Sequence, residues 1–131
     1  MPKRVSDFTV KRKIALLAIK WCQENIGINK KKRNLKLSLR TKPHKEGGYI
    51  VLGHFCNSEN KILLYDVYEQ TITEIVQTII HEYTHYLQSS RKYWEYYKTH
   101  YYSQHPYERQ ARRNELKYGK ICLKEIKKLI N

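Results

Sequence analysis

His81-Glu82-Tyr83-Thr84-His85 sets two imidazoles four residues apart, with a carboxylate directly after the first. On a helix, positions i and i+4 lie one above the other on a single face. Both imidazoles then address one point, at a separation that a single Zn2+ ion bridges. Glu82 is rotated by about 100° from His81, close enough to reach a water on the metal without being a ligand. Five residues thus supply two zinc ligands and a general base. Zinc draws the pKa of its bound water toward about 7. Glu82 can take that water's proton as it attacks a carbonyl carbon and deliver it to the leaving amine.

A catalytic zinc takes three protein ligands and keeps one position open. His100, His105 and Glu108 compete for the third place. Glu108 stands two residues after Pro106, in the first turn of an expected helix, and Ala111 follows one turn later. A helix that carries a ligand must pack close to the metal-bearing helix, and a small residue at the next turn permits the approach. That favours Glu108, with His105 and then His100 as alternatives. A carboxylate at a helix N-terminus also suits the helix dipole in the absence of any metal. A donor is needed where charge develops on the tetrahedral intermediate, and Tyr101, Tyr102, Tyr107, His100 and His105 crowd the segment between the two motifs.

The elements that must position these groups are legible in outline. Phe8, Ile14, Leu17, Ala18, Trp21 and Cys22 recur at helical spacing over 8–26, with Lys11, Lys13, Lys20 and Gln23 assigned to other faces. Ser6 and Asp7 offer capping side chains, and Gly27 a stop. After the charged stretch 29–34, Leu35, Leu37 and Leu39 alternate with Lys36, Ser38 and Arg40, which predicts a strand with one buried face. Pro43 and Gly47-Gly48 interrupt it. A second strand is expected over 49–56, a hairpin turn at 57–60, and a third strand over 61–67, whose run Ile62-Leu63-Leu64-Tyr65 suggests burial on both faces.

From 71 to 90 the pattern is helical, with Ile72, Ile75, Val76, Ile79, Ile80, Tyr83 and Leu87 as an apolar stripe. Thr78, His81, His85 and Gln88 share the opposite side. Residues 91–102 read as partly helical, and Pro106 opens a last helix that runs past Leu116, with Gly119 as a possible bend, to Ile130.

With 131 residues the chain suits one domain, 1–131, and its 40% hydrophobic content suits a folded one. No run approaches the roughly 20 apolar residues of a membrane span. The basic N-terminus lacks the apolar stretch of a secretory signal. These features lead to the expectation of a cytoplasmic monomer with no membrane partner. Cys22, Cys56 and Cys122 form no Cys-x-x-Cys pair, so reduced, mostly buried thiols are expected rather than disulfides or a cysteine zinc site. The net charge of +14 favours anionic partners in general. Lys30-Lys31-Lys32-Arg33 and the lysines at 117, 120, 124, 127 and 128 support an alternative reading. In it the chain is a basic protein that acts on or binds nucleic-acid-associated partners, with or without peptidase activity, and contacts nucleic acid nonspecifically through its basic surface.

His81-Glu82-x-x-His85 followed by Pro106-x-Glu108-x-x-Ala111 resembles the gluzincin branch of the zincin metallopeptidases, in particular its minimal single-domain members. The resemblance spans the element order from about residue 35 to 115, and only the ligand motifs are specific. It implies an α+β, zincin-like fold: an N-terminal helix, a three-stranded mixed sheet, an active-site helix and a C-terminal helix bearing the glutamate. It implies His81, His85 and Glu108 as zinc ligands, Glu82 as the general base, and peptide-bond hydrolysis in a peptide or protein substrate. The strand at 49–56 would be an antiparallel edge strand that rims the cleft and binds an extended peptide, with the third strand central.

The chain departs from related patterns at two places. Gln88 and Arg91 stand where the metzincin extension needs Gly and His, which excludes that branch. Tyr107, Ala111 and Arg112 replace Asn, Ser and Asp of the thermolysin-type second motif. The aspartate that orients a zinc histidine there is missing, so another group must do so; Glu115 and Glu74 are the candidates.

Overall fold

The computed structural model describes residues 4–5, 7–41, 45–46, 49–66 and 70–130, with side chains for 7–41, 51–66 and 70–130. Ser6, Pro43, Gly47-Gly48 and Val67, to which the sequence assigns a cap, a loop and a strand end, lie outside the described residues. The elements in order are β1 (Arg4–Val5), α1 (Phe8–Asn25), β2 (Lys36–Arg40), β3 (Lys45–Glu46), β4 (Tyr49–Ile50), β5 (Gly53–Cys56), β6 (Lys61–Tyr65), β7 (Gln70–Thr71), α2 (Ile72–Leu87), α3 (Ser90–Thr99) and α4 (Pro106–Ile130). A 3-10 turn, Tyr102–Gln104, precedes α4. The architecture is α+β: four helices and a small three-stranded mixed sheet, with two short two-stranded ribbons beside it.

Local chemistry sets the helix ends. The Asp7 carboxylate accepts from the Val10 N–H at 3.1 Å and starts α1. At its other end the Ile26 and Gly27 N–H groups both donate to the Cys22 carbonyl, and Gly27 takes φ +126°, a conformation that favours glycine. For α2, Thr71 accepts from the Glu74 N–H while the Glu74 carboxylate accepts from the Thr71 N–H, a reciprocal capping box. Glu74 is therefore spent at the start of α2. Pro106, which has no N–H to leave unpaired, opens α4, and that helix continues through Gly119 without interruption.

In the sheet the order is β2-β6-β5, with β2 parallel to β6 and β5 antiparallel to it. The third predicted strand is thus central and the second an edge. The second is also shorter than the sequence suggests, starting at Gly53, because Tyr49–Ile50 pairs with β3 in a separate ribbon. Burial of the central strand is one-sided: Ile62 and Leu64 are fully covered, whereas Leu63 and Tyr65 are half-buried. Helices cover only one face of the sheet closely, so the other keeps partial access to water. Leu35, Leu37 and Leu39 are likewise half-buried and pack against the core from its margin.

The core lies between α1, α2, α4 and the covered face of the sheet. It contains Ile14, Ala18, Cys22, Ile75, Ile79, Ile80, Tyr83 and Ile126. Lys11, which the sequence assigns to a solvent face, is buried instead and pairs with Asp66 at 2.5 Å. It shares the i, i+3, i+4, i+7 stripe with Ile14, Ala15 and Ala18, and the ion pair compensates the charge taken inside. Phe8 moves the other way, to an exposed position. The Asn29 amide donates to the Tyr86 carbonyl, and the Asn60 amide to the carbonyls of Lys32 and Arg33. These bonds pin the charged 29–34 segment against α2 and the β5–β6 turn. Cys22, Cys56 and Cys122 are free thiols, the first and last buried. Among the described residues no helix is long and apolar enough to cross a membrane.

Candidate metal centre

The back of α2 (Ile75, Val76, Ile79, Ile80 and Tyr83) is sealed in the core, which turns Thr78, His81, Glu82, His85 and Gln88 toward β5 and α4. Two close approaches build the walls of this side. At Gly53 the edge strand comes so near α2 that a Cβ would stand 2.6 Å from Thr78 Cγ2 and 3.4 Å from Glu82 Cγ. From α4, Ala111 is fully buried, and the Asn114 amide donates to Thr84 Oγ1 at 3.0 Å. The packing of α4 on α2 brings Glu108, one turn before Ala111, onto the two histidines.

His81 Nε2 and His85 Nε2 each lie 3.1 Å from Glu108 Oε1. The ligand atoms of these three residues all fall within 4.8 Å of one another, a group that could hold a metal ion. Glu108 is almost completely buried, and its second oxygen, Oε2, accepts from the Tyr93 hydroxyl at 2.6 Å. Glu82 is buried beside the cluster.

Hydrogen-bond polarity tests whether a cation fits. The Gln88 Nε2 donates to the Tyr107 carbonyl at 3.0 Å and to Gln110 Oε1 at 2.8 Å. A carbonyl only accepts, so the amide nitrogen must face α4, leaving Gln88 Oε1 at 2.7 Å from His85 Nδ1. His81 Nδ1 lies 3.5 Å from Glu115 Oε1. Each Nδ1 therefore faces an acceptor, an arrangement that suits the tautomer protonated at Nδ1. In the neutral rings the Nε2 lone pairs then converge on Glu108 Oε1, which has no proton to give. Three acceptors aimed at one point require a cation among them, either a metal ion or a proton on each ring. Two imidazole nitrogens and one carboxylate oxygen make a donor set that suits a divalent metal ion such as zinc or iron, and the acceptors on both Nδ1 atoms are the partners that metal-bound histidines ordinarily have.

Electrostatics agree with this. Burial disfavours a charge on His81, but its bonds to Glu108 and Glu115 prevail and push its pKa up to about 10 in the metal-free chain. For Glu108, burial would raise the pKa; hydrogen bonds with His81, His85 and Tyr93 outweigh it and hold the carboxyl well below the usual range. Burial raises Glu82, opposed by the two histidines and His54 and reinforced by Glu108. Tyr93 and Tyr102 are both raised by burial and by Glu108 beside their hydroxyls.

The other histidines are placed elsewhere. His105 is fully buried; its Nε2 donates to the Tyr93 carbonyl at 2.9 Å and its Nδ1 accepts from the Tyr107 N–H at 3.1 Å. Neither nitrogen is left for a metal. His100 is exposed at the end of α3, with Nδ1 near Thr99 Oγ1 and the Tyr96 carbonyl. Of the two carboxylates considered for orienting a zinc histidine, Glu115 reaches His81 and Glu74 does not reach the site. Tyr101 is largely exposed, and Tyr107 packs its ring against Tyr96. Sequence reasoning missed the contacts of Gln88 and Tyr93. Gln88 carried a signal, being three residues after His85 on the same helical face; Tyr93 carried none beyond its place in an aromatic-rich stretch. Comparison with known protein families, curated proteins and solved structures finds no significant match to this chain.

Proposed function

We propose that this chain is a zinc-dependent metallopeptidase of the gluzincin type, with a zincin-like fold. In it His81, His85 and Glu108 hold the metal and Glu82 is the general base. One observation carries the proposal. Two imidazole lone pairs and a buried carboxylate oxygen converge on one point, with each ring's other nitrogen already facing an acceptor. Zinc bound there would supply Lewis acidity, activating a water and polarising a substrate carbonyl.

Glu82 does the proton work. Its burial raises its pKa, which brings the carboxylate nearer the working pH and suits it to accept a proton and then release it to the leaving amine. The substrate strand has a place to lie. Among the described residues β5 pairs only with β6, so its other edge offers unpaired backbone groups to an extended peptide. Gly53 and His54 on that strand adjoin Glu82, which brings such a peptide's backbone to the base. Pairing along a strand edge requires an extended segment, which favours an unstructured polypeptide over a folded one.

The test is Glu82→Gln in the full chain. Zinc content by mass spectrometry should stay near one per chain, while hydrolysis of a fluorogenic peptide library falls at least about 100-fold. Hydrolysis at the unsubstituted rate would refute the mechanism.

A further inference from the structure

We propose that Tyr93, held in place by His105, is a positioning residue that keeps Glu108 a one-oxygen metal ligand; this rests on the metal-centre reading above. A carboxylate can bind a metal through one oxygen or both. Here Oε1 faces both histidine Nε2 atoms, and Oε2 accepts a 2.6 Å hydrogen bond from the Tyr93 hydroxyl. The phenol withdraws Oε2 from the metal and keeps a coordination position open for water and substrate.

Tyr93 does not owe its position to its own helix. No residue of α3 is buried, and Trp94 and Tyr97 beside it stand exposed. The anchor is His105. Its Nε2–H donates to the Tyr93 carbonyl, its Nδ1 accepts from the Tyr107 N–H, and its ring lies 4.2 Å from the Tyr93 ring, centroid to centroid. The Tyr93 ring also meets His85 edge-on at 5.4 Å and 90°. Tyr93 thus touches two of the three ligand residues. His105 immediately precedes Pro106, the first residue of the helix that carries Glu108. One buried imidazole therefore couples the tyrosine to the ligand it steadies. Fixing a ligand by a hydrogen-bonded neighbour lowers the cost of ordering it when metal binds.

Tyr93→Phe isolates the hydroxyl, since the ring contacts with His85 and His105 remain. Zinc affinity, read by competition with a chromophoric chelator, should fall by about 10- to 100-fold, while the melting temperature of the metal-free chain falls by no more than the few degrees that the loss of one buried hydrogen bond costs. In the cobalt-substituted protein the visible absorption should weaken, because a released Oε2 would raise the coordination number. Tyr96→Phe, which alters a neighbouring ring against His105 but no bond to Glu108, should leave both readouts as they were. Wild-type zinc affinity and an unchanged cobalt spectrum in Tyr93→Phe would overturn the positioning role and leave the metal centre standing. Equal losses in Tyr96→Phe would also overturn it. Failure of the unsubstituted chain to bind zinc would overturn the metal centre itself, and the positioning role with it.

Discussion

At Gly53 the edge strand lies close against α2, and its replacement by alanine has a cost that the geometry sets. The Gly53 backbone lies outside the left-handed region, so alanine meets no backbone strain. With open space around it, the lower entropy of the unfolded chain would favour alanine by roughly 0.4–1 kcal/mol. Space is not open. The new Cβ would lie 2.6 Å from Thr78 Cγ2, 3.2 Å from the Leu63 carbonyl oxygen and 3.4 Å from Glu82 Cγ, against a relaxed carbon–carbon separation of about 3.5–4.0 Å. Leu63 belongs to the central strand, and Thr78 is a β-branched side chain on a packed helix with little choice of rotamer. Neither yields easily, so β5 must draw back from α2 by about 1 Å. Overpacking of this kind costs typically 1–3 kcal/mol, so alanine should destabilise by about 2 kcal/mol and lower Tm by roughly 6–10 °C.

The assay is urea unfolding of four proteins: wild type, Gly53→Ala, Thr78→Ser and the double variant. Serine deletes Cγ2 and with it the shortest contact, so the cycle should show a favourable coupling of at least about 1 kcal/mol. A Gly53→Ala protein as stable as wild type would refute the close packing of β5 on α2. Additive effects in the cycle would refute Thr78 as the obstacle.

Metal-free stability should depend on pH in a way fixed by the cluster. His81 rises from 6.5 to about 10 in the folded chain, so its contribution is full below pH 6.5 and is lost as pH climbs through 10. Glu108 is lowered from 4.5, so its contribution is present above 4.5 and lost as pH falls through its depressed value. The chelator-treated chain should therefore unfold at less urea at about pH 8.5 than at about pH 5.5, and a higher midpoint at pH 8.5 would contradict the assignment. Gln88→Ala removes the acceptor on His85 Nδ1 and should weaken zinc binding by about 10- to 100-fold in chelator competition. Unaltered affinity would show that Gln88 does not orient His85.

Much of the framework could be read from one dimension. The four-residue spacing of His81 and His85 is a local property of a helix, and the Ile75–Tyr83 stripe says which side of that helix is sealed. Thr71-x-x-Glu74 is likewise a local cap, legible in the chain though it removes Glu74 from the metal site. The charge of Lys11 suggests a solvent face, but its position on the same stripe as Ile14 and Ala18 takes it inside, where Asp66, 55 residues away, makes the buried site tolerable. One-sided burial of Ile62-Leu63-Leu64-Tyr65 has a similar origin, since four apolar residues in a row do not reveal how many layers will cover them.

The chemistry of the centre divides along the same line. Residue types and spacing determined two imidazoles, an adjacent base and a short list of third ligands, because each follows from contacts within a turn or two of one helix. Tertiary structure alone shows that Glu108, rather than His105 or His100, stands beside the two imidazoles, the three lying 23, 20 and 15 residues beyond His85. The packing of α4 on α2 brings the Glu108 carboxylate to the two imidazoles, while His105 spends both nitrogens on Tyr93 and Tyr107. A hydrogen-bond partner supplied from another element has no periodicity by which a sequence could announce it, and Tyr93 and the far side of Gln88 are both of that kind.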